Sequence, residues 1–243
     1  MNIKLKIQYD GKEYHGWQIQ AGDATIQEEL TKAVRCITGG EVKLKGCGRT
    51  DAGVHAESYV CNFHTDARIP VDRYPYALNS KLPKDIVCRG AELAGEDFDA
   101  NRSAKAKRYI YRIYNSDIPD AFLGRYSWQY KHKLDVEKMQ LAAKAFVGEH
   151  DFIGFASSGF TVKTTVRTIY SLDVTREGNL ITIDVCGNGF LYNMVRIIAG
   201  TLVFAGSGKI KPEDMEAIIA SKCRERAGVT APPHGLCLKE VYY

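Results

Sequence analysis

The residues best suited to chemistry lie in one short stretch, 46–56, which holds three glycines together with Arg49, Asp51 and His55. A carboxylate on a glycine-rich loop can be presented to a ligand while the backbone comes close to it. Arg49, two residues before Asp51, is positioned to contact a phosphate. The stretch lacks the Gly-Lys-Ser/Thr ending of a P-loop, and His55 has no histidine partner at metal-ligand spacing. Two interpretations stay open: a functional carboxylate, and an Asx turn before Gly53.

A second unusual position is Arg196, which stands inside the apolar run 190–200. A buried guanidinium is costly unless an anion accompanies it. The pattern therefore predicts either a carboxylate partner or a side chain that reaches the surface from one edge of a helix. Asp51 is a candidate partner, and pairing would favour the ionised form of its carboxyl group.

The stretch 101–112 is basic and contains no acidic residue, with tyrosines at 109 and 111. Tyrosines among cations suit a surface that holds phosphates and stacks a base. A solvated strand is the alternative interpretation. The basic residues are Arg102, Lys105, Lys107, Arg108 and Arg112.

Hydrophobic periodicity predicts the elements that position these residues. Residues 3–9 and 105–114 alternate like strands, and 165–175 with 180–186 read as a hairpin. Thr25 and Glu28 form a capping-box signature before a helix, and a second helix is predicted over 190–204. The order favours an α+β fold with helices packed on a largely antiparallel β-sheet. We expect two α+β halves, 1–100 with the Asp51 loop and 101–243 with Tyr109 and Arg196.

Composition narrows the protein class. The 243 residues are 45% hydrophobic and 26% charged, with a net charge of +4, as in an ordinary folded protein. The seven cysteines are odd in number and form no C-x-x-C pair, which argues against a disulfide scaffold or a zinc knuckle. No apolar run is long enough to span a bilayer and no export signal is visible, so we expect a cytoplasmic protein without a membrane partner.

Five motifs in order resemble the tRNA pseudouridine synthase A family, and together they span residues 9–238. The run Arg-Thr-Asp-Ala-Gly-Val-His at 49–55 is the most specific. The others are Tyr-Asp-Gly at 9–11 with Gly-Trp-Gln at 16–18, Arg-Tyr-Ile-Tyr at 108–111, Phe-Leu-Tyr-Asn-Met-Val-Arg at 190–196, and Pro-His-Gly-Leu-Cys-Leu at 233–238.

The resemblance implies an isomerase that needs no cofactor and no metal and converts uridine to pseudouridine at positions 38, 39 and 40 in the anticodon stem-loop of tRNA. It implies two similar halves, the pseudouridine synthase fold, and a homodimer. Asp51 would be the catalytic aspartate, with Arg196 pairing to its carboxylate. The implied substrate-binding residues are Tyr109, Arg49 and Leu236, and the expected RNA-binding residues are Arg102, Lys105, Lys107 and Arg108.

Some positions depart from the family pattern and bear on RNA docking: Ile19, Glu57, Asp99 and Asn101. Two other functions stay open. One is a module that binds structured RNA without chemistry, and the other is an aspartate-dependent enzyme that acts on a small nucleoside.

Overall fold

The computed structural model describes residues 1–159 and 162–243. By their packing, these residues form two compact units, Met1–Lys105 with Cys237–Tyr243, and Ala106–Leu236. The strands in the described ranges are β1 (Asn2–Tyr9), β2 (Lys45–Gly46), β3 (His55–His64), β4 (Ile86–Ala94), β5 (Ala106–Asn115), β6 (Trp128–Tyr130), β7 (Gly148–Asp151), β8 (Val166–Glu177), β9 (Leu180–Gly187) and β10 (Leu236–Tyr242). The α-helices there are α1 (Ile26–Thr38), α2 (Tyr74–Asn79), α3 (Val136–Lys144), α4 (Met194–Gly206) and α5 (Met215–Ala220).

The sheet of the first unit is organised by the alternation in β1. Ile3, Leu5 and Ile7 are fully buried, while Lys4 and Lys6 lie on the opposite face. β1 pairs antiparallel with both β3 and β4. β10 runs parallel to β3, and the short β2 pairs antiparallel with β3. The strand order in this unit is therefore β4-β1-β3-β10.

Helix α1 has the predicted position but not the predicted cap. Thr25 has the extended backbone of an N-cap residue, yet its side chain makes no capping hydrogen bond. The first backbone N–H groups of the helix donate instead to carbonyl oxygens, Ile26 N–H to Gly16 at 3.1 Å and Gln27 N–H to Trp17 at 3.0 Å. The capping-box prediction is wrong because a neighbouring segment of backbone supplies the acceptors that helix termini require.

The second unit holds the antiparallel order β5-β9-β8-β7, with β6 parallel to β5. Helix α4 is almost entirely buried, as its apolar sequence predicts. It begins at Met194 and not at 190, because Asn193 has the left-handed backbone conformation, with φ of 61°. The preceding residues of the apolar run therefore pack outside the helix.

The predicted fold class is confirmed: an α+β protein with a largely antiparallel sheet and helices. The domain halves 1–100 and 101–243 stay a prediction. Residues Cys237–Tyr243, which sequence order assigns to the second half, pack with the first unit. They do so because β10 pairs with β3, Cys237 opposite His55 and Leu238 opposite Ala56. In the described ranges, no helix is both long and apolar enough to cross a membrane.

Candidate active site

The loop that carries Asp51 is fixed by hydrogen bonds on both sides of this residue. The Thr50 carbonyl accepts the Trp17 N–H at 3.1 Å, and the Thr50 hydroxyl lies 2.8 Å from the Tyr9 hydroxyl. After Asp51, the Gly53 N–H donates to the Tyr14 carbonyl at 3.2 Å. Asp51 itself is half-buried. The segment 9–17 therefore holds the backbone that presents the carboxylate.

Two glycines of that segment allow the close approach. A Cβ at Gly11 would lie 2.0 Å from the Val54 carbonyl oxygen, and one at Gly16 would lie 2.4 Å from the Thr50 carbonyl oxygen. Gly16 also has a positive φ of 86°, which side chains rarely adopt. The glycines of the N-terminal motif are thus explained by contact with the Asp51 loop.

Aromatic packing also supports the Asp51 loop. The Trp17 ring stacks on the Tyr59 ring with 4.1 Å between centroids, and a Cβ at Gly46 would lie 2.7 Å from Trp17. The Tyr59 hydroxyl donates to the Gly48 carbonyl at 2.5 Å. Gly46 and Gly48 therefore bring the start of the loop against a rigid aromatic pair.

Arg196 is half-buried in the first turn of α4, and its guanidinium is oriented by neighbouring oxygens. Its Nε donates to the Ala231 carbonyl at 2.7 Å, and its Nη1 donates to Asn193 Oδ1 at 2.6 Å. The Asn193 side chain in turn donates to Ser157 Oγ at 2.8 Å. The left-handed backbone of Asn193 places its amide beside the arginine, three residues further along.

Tyr109 lies on β5 and is 9% exposed. The Phe190 ring meets it edge to face, with 5.2 Å between centroids. The residues just before α4 therefore support Tyr109, through Phe190, and orient Arg196, through Asn193.

Leu236 is buried, 5% exposed, at the start of β10. The turn before it packs on Tyr111, whose hydroxyl donates to the Pro232 carbonyl at 2.8 Å. A Cβ at Gly235 would lie 2.7 Å from the Tyr111 ring. Burial raises the pKa of Tyr111 well above its ordinary range, while Arg196 acts in the lowering direction, so the phenol stays protonated as a donor.

The predicted RNA-binding residues differ in their surroundings. Arg102 and Lys105 are exposed, and Lys107 is half-buried. Arg108 forms a bidentate ion pair with Asp184, through Nε at 2.8 Å and Nη2 at 2.5 Å. An RNA phosphate would have to compete with this carboxylate for Arg108.

The structure thus places the predicted residues in two groups. Asp51 and the exposed Arg49 share one loop of the first unit, and Tyr109, Arg196 and Leu236 belong to the second unit. The sequence interpretation missed the supporting residues Asn193, Phe190 and Asp184. For Asn193 a signal existed, because asparagine is enriched where φ is positive. Asp184 gave none, since it meets Arg108 only through the β5–β9 pairing.

Within 1–159 and 162–243, no group of three or more His, Cys, Asp or Glu side chains is arranged to hold a metal ion.

The sequence was compared with models of known protein families. A family model described as "tRNA pseudouridine synthase" matches residues 6–118 and 142–243. The chain belongs to the tRNA pseudouridine synthase family.

Full-length relatives agree with this membership. A tRNA pseudouridine synthase A of Acetivibrio thermocellus is 50% identical over 100% of this chain and 99% of its own length. Those of Ruminiclostridium cellulolyticum and Bacillus subtilis are 49% and 45% identical, each over 99% of its own length. The resemblance seen in the ordered motifs is confirmed. As a pseudouridine synthase the chain is an isomerase, because pseudouridine has the same atoms as uridine with the base rejoined to the sugar.

Proposed function

We propose that this protein converts uridine to pseudouridine at positions 38, 39 and 40 in the anticodon stem-loop of tRNA, with Asp51 as the catalytic carboxylate. Full-length similarity to proteins named tRNA pseudouridine synthase A supports the reaction and the tRNA substrate. The observation that carries the assignment of Asp51 is its loop. Backbone hydrogen bonds, close glycine contacts and an aromatic stack all fix the loop backbone that carries this half-buried residue.

The reaction breaks the bond between uracil N1 and the sugar C1′, rotates the detached base and forms a bond from C5 to C1′. The proton on C5 is lost and one returns to N1, so no atom is gained overall. A carboxylate can attack C1′, add to the uracil ring, or remove a sugar proton. All three routes require a fixed carboxylate, and the Asp51 loop supplies one. Retention of the free uracil in a pocket favours its recombination with the same sugar.

Within this proposal, Arg196 pairs with the Asp51 carboxylate. Its contacts with Ala231 and Asn193 hold the guanidinium plane in one orientation. A pre-oriented guanidinium is well suited to a carboxylate because it loses little freedom on binding. Such a pair would keep Asp51 ionised at neutral pH.

The remaining residues position the RNA. A base in a stem is unreachable until it leaves the stack, so a stacking surface is needed, and Tyr109 supported by Phe190 provides a rigid ring. Arg49, exposed beside Asp51, binds a phosphate, and the buried Leu236 contributes an apolar contact for the base. Arg102, Lys105 and Lys107 extend the cationic surface, with a smaller contribution from Arg108 because Asp184 already occupies it.

We extend the proposal to the state and place of the protein, a homodimer in the cytoplasm that acts without a cofactor. The family resemblance supports the homodimer and the absence of a cofactor. The odd number of cysteines, without a C-x-x-C pair, supports a reducing cytoplasm. Light scattering of the purified protein would give about twice the chain mass of 27.1 kDa for a dimer. The chain mass itself would contradict it.

Release of tritium from a stem-loop labelled at uracil C5 tests the function, because C5 loses its hydrogen only when the new glycosidic bond forms. We expect rapid release with the wild-type protein and a loss on the order of a thousandfold in Asp51→Asn. Asp66→Asn, at an exposed position of the same unit, is the matched control.

The same assay separates the two other functions. A module that only binds RNA would retain the stem-loop and release no tritium. An enzyme for small nucleosides would release it from free uridine, and its affinity for RNA would show little dependence on salt.

A further inference from the structure

Arg167 lies in β8 of the second unit and is not one of the residues to which the sequence assigns a role. It is half-buried. Its Nη1 donates to the Thr164 carbonyl at 2.8 Å and to the Val166 carbonyl at 2.6 Å. Both partners are neutral backbone oxygens, so these bonds orient the guanidinium without neutralising its charge.

The surroundings of the Arg167 guanidinium, as far as the described residues form them, are not acidic. In the described part of the chain, no carboxylate oxygen lies within 4.0 Å of the Arg167 guanidinium. Burial lowers the pKa of Arg167, the direction opposite to that caused by a nearby carboxylate. A partly desolvated cation without an anion is unfavourable in the isolated protein, and an anionic ligand would relieve that cost.

Arg167 and Tyr109 lie on the same face of the sheet. Alternation along β8 puts Arg167 on the face of Ile169. Ile169 pairs with Gly187 of β9, and Gly187 pairs with Lys107 of β5. Tyr109 follows Lys107 by two residues and so shares that face.

The loop after β9 contacts both the Arg167 and the Tyr109 side chains. A Cβ at Gly189 would lie 3.6 Å from Arg167 Nε, and the next residue, Phe190, packs on the Tyr109 ring. Because residue 189 has no side chain, no side chain at this position lies against the guanidinium.

We propose that Arg167 binds a phosphate of the substrate RNA, beside the nucleotide whose base stacks on Tyr109. The inference rests on the proposed function, since it takes tRNA as the ligand. With Nη1 engaged by two carbonyls, Nε–H and Nη2–H form the two-donor fork that fits two oxygens of one phosphate. A phosphate held here would fix the backbone on one side of the base that must leave the stem.

A scan of neutralised phosphates tests this contact directly. Stem-loops with a single methylphosphonate at each position in turn are bound to the wild-type protein, to Arg167→Gln and to Arg167→Lys. The matched control is Arg176→Gln, on the same strand, whose exposed guanidinium donates to Leu134 and Asn115.

We expect one position at which neutralisation weakens wild-type binding on the order of tenfold but changes Arg167→Gln binding by less than about twofold. Arg176→Gln should behave like the wild type at every position. The slope of log affinity against log salt should fall by about 0.7–0.9 in Arg167→Gln and stay unchanged in Arg167→Lys, which keeps the charge.

Equal losses in wild type and Arg167→Gln at every phosphate would overturn the inference. If Arg167→Gln does not fold, Arg167→Lys decides the matter, because it lacks the fork and must show a smaller loss than the wild type at the contacted position. Tritium release is measured separately. If tritium is released but no phosphate depends on Arg167, only this inference is wrong. If one phosphate depends on Arg167 but no tritium is released, only the proposed function is wrong.

Discussion

At the scale of single residues, Tyr109 gives a direct test of how the target base is held. We predict that Tyr109→Phe keeps most of its activity on a stem-loop, because the ring that stacks on the base remains. Tyr109→Ala should lose about ten- to a hundredfold, since stacking is worth roughly 1–3 kcal/mol per base. Steady-state rates on one RNA check both variants. Equal loss in the two variants would instead assign the role to the hydroxyl group.

The sequence located the residues with unusual chemistry but not the residues that support them. Asp51 stood out because its glycines make the loop recognisable, and Arg196 because a charge interrupts an apolar run. The Arg108–Asp184 ion pair was not predictable, since the partners are 76 positions apart and meet only after β5 pairs with β9. Charge alone therefore predicts Arg108 as an RNA contact without revealing the carboxylate that it pairs with, and that contact stays a prediction.

At the scale of elements, the approach of residues 9–17 to the Asp51 loop can be tested with two glycines. Gly16 and Gly22 have nearly the same φ, 86° and 87°. A Cβ at Gly16 would meet the Thr50 carbonyl oxygen at 2.4 Å, whereas nothing lies within 4 Å of a Cβ at Gly22. Both alanine variants should be strained, but only Gly16→Ala should move the Asp51 backbone.

We therefore expect Gly16→Ala to lose on the order of tenfold or more in turnover, and Gly22→Ala to stay within about twofold of the wild type. The strain of a positive φ should cost each variant about 1–2 kcal/mol of stability, and the contact with the Thr50 carbonyl oxygen adds to that cost in Gly16→Ala. Thermal unfolding and turnover, measured on the same preparations, separate the two effects. Equal turnover in the two variants would show that the close contact at Gly16 does not position the catalytic loop.

A second prediction for the elements concerns Asp151, at the end of β7. Its carboxylate lies 2.8 Å from Lys222 Nζ and accepts the Thr165 hydroxyl at 2.6 Å, and these partners lower its pKa. A pKa that is lower in the folded state stabilises the fold above the unfolded value of about 3.9, and the effect is lost as pH falls through the folded pKa.

Asp151→Asn should therefore reduce the melting temperature at pH 7 by about 1–4 °C, from a partly exposed pair worth about 0.5–1 kcal/mol. The difference from the wild type should shrink steadily as the pH falls below about 4. Asp66→Asn, at an exposed position, is the matched control. A deficit that is constant from pH 7 to pH 3 would mean that the charge of Asp151 does not stabilise the fold.

Elements were predictable where periodicity decides them and less so at their ends. The alternation of β1 and of the β8–β9 hairpin reappears in the structure. The start of α4 was misplaced because Phe190 and Leu191 are as apolar as the helix itself. Only the backbone conformation of Asn193 separates them from it. The capping box failed at Thr25 because carbonyl groups of the segment 16–17 took its role.

At the scale of the whole molecule, composition predicted an ordinary folded protein, and the order of elements predicted the α+β class. The association of Cys237–Tyr243 with the first unit depends on the pairing of β10 with β3. The paired residues are more than 170 positions apart, so no local sequence pattern predicts this pairing. The ordered motifs were more informative for function than the modest net charge of +4, because each motif fixes residue types at specific spacings.

The most direct measurement is a position-by-position map of pseudouridine in an unmodified tRNA transcript with uridines at 38, 39 and 40. The transcript is incubated with the wild-type protein and with Asp51→Ala, and binding of both proteins is measured in parallel. We predict new pseudouridine at these positions with the wild type alone, although both proteins bind. Product formed by Asp51→Ala, or binding by both proteins without any product, would contradict the central claim that Asp51 catalyses this isomerisation.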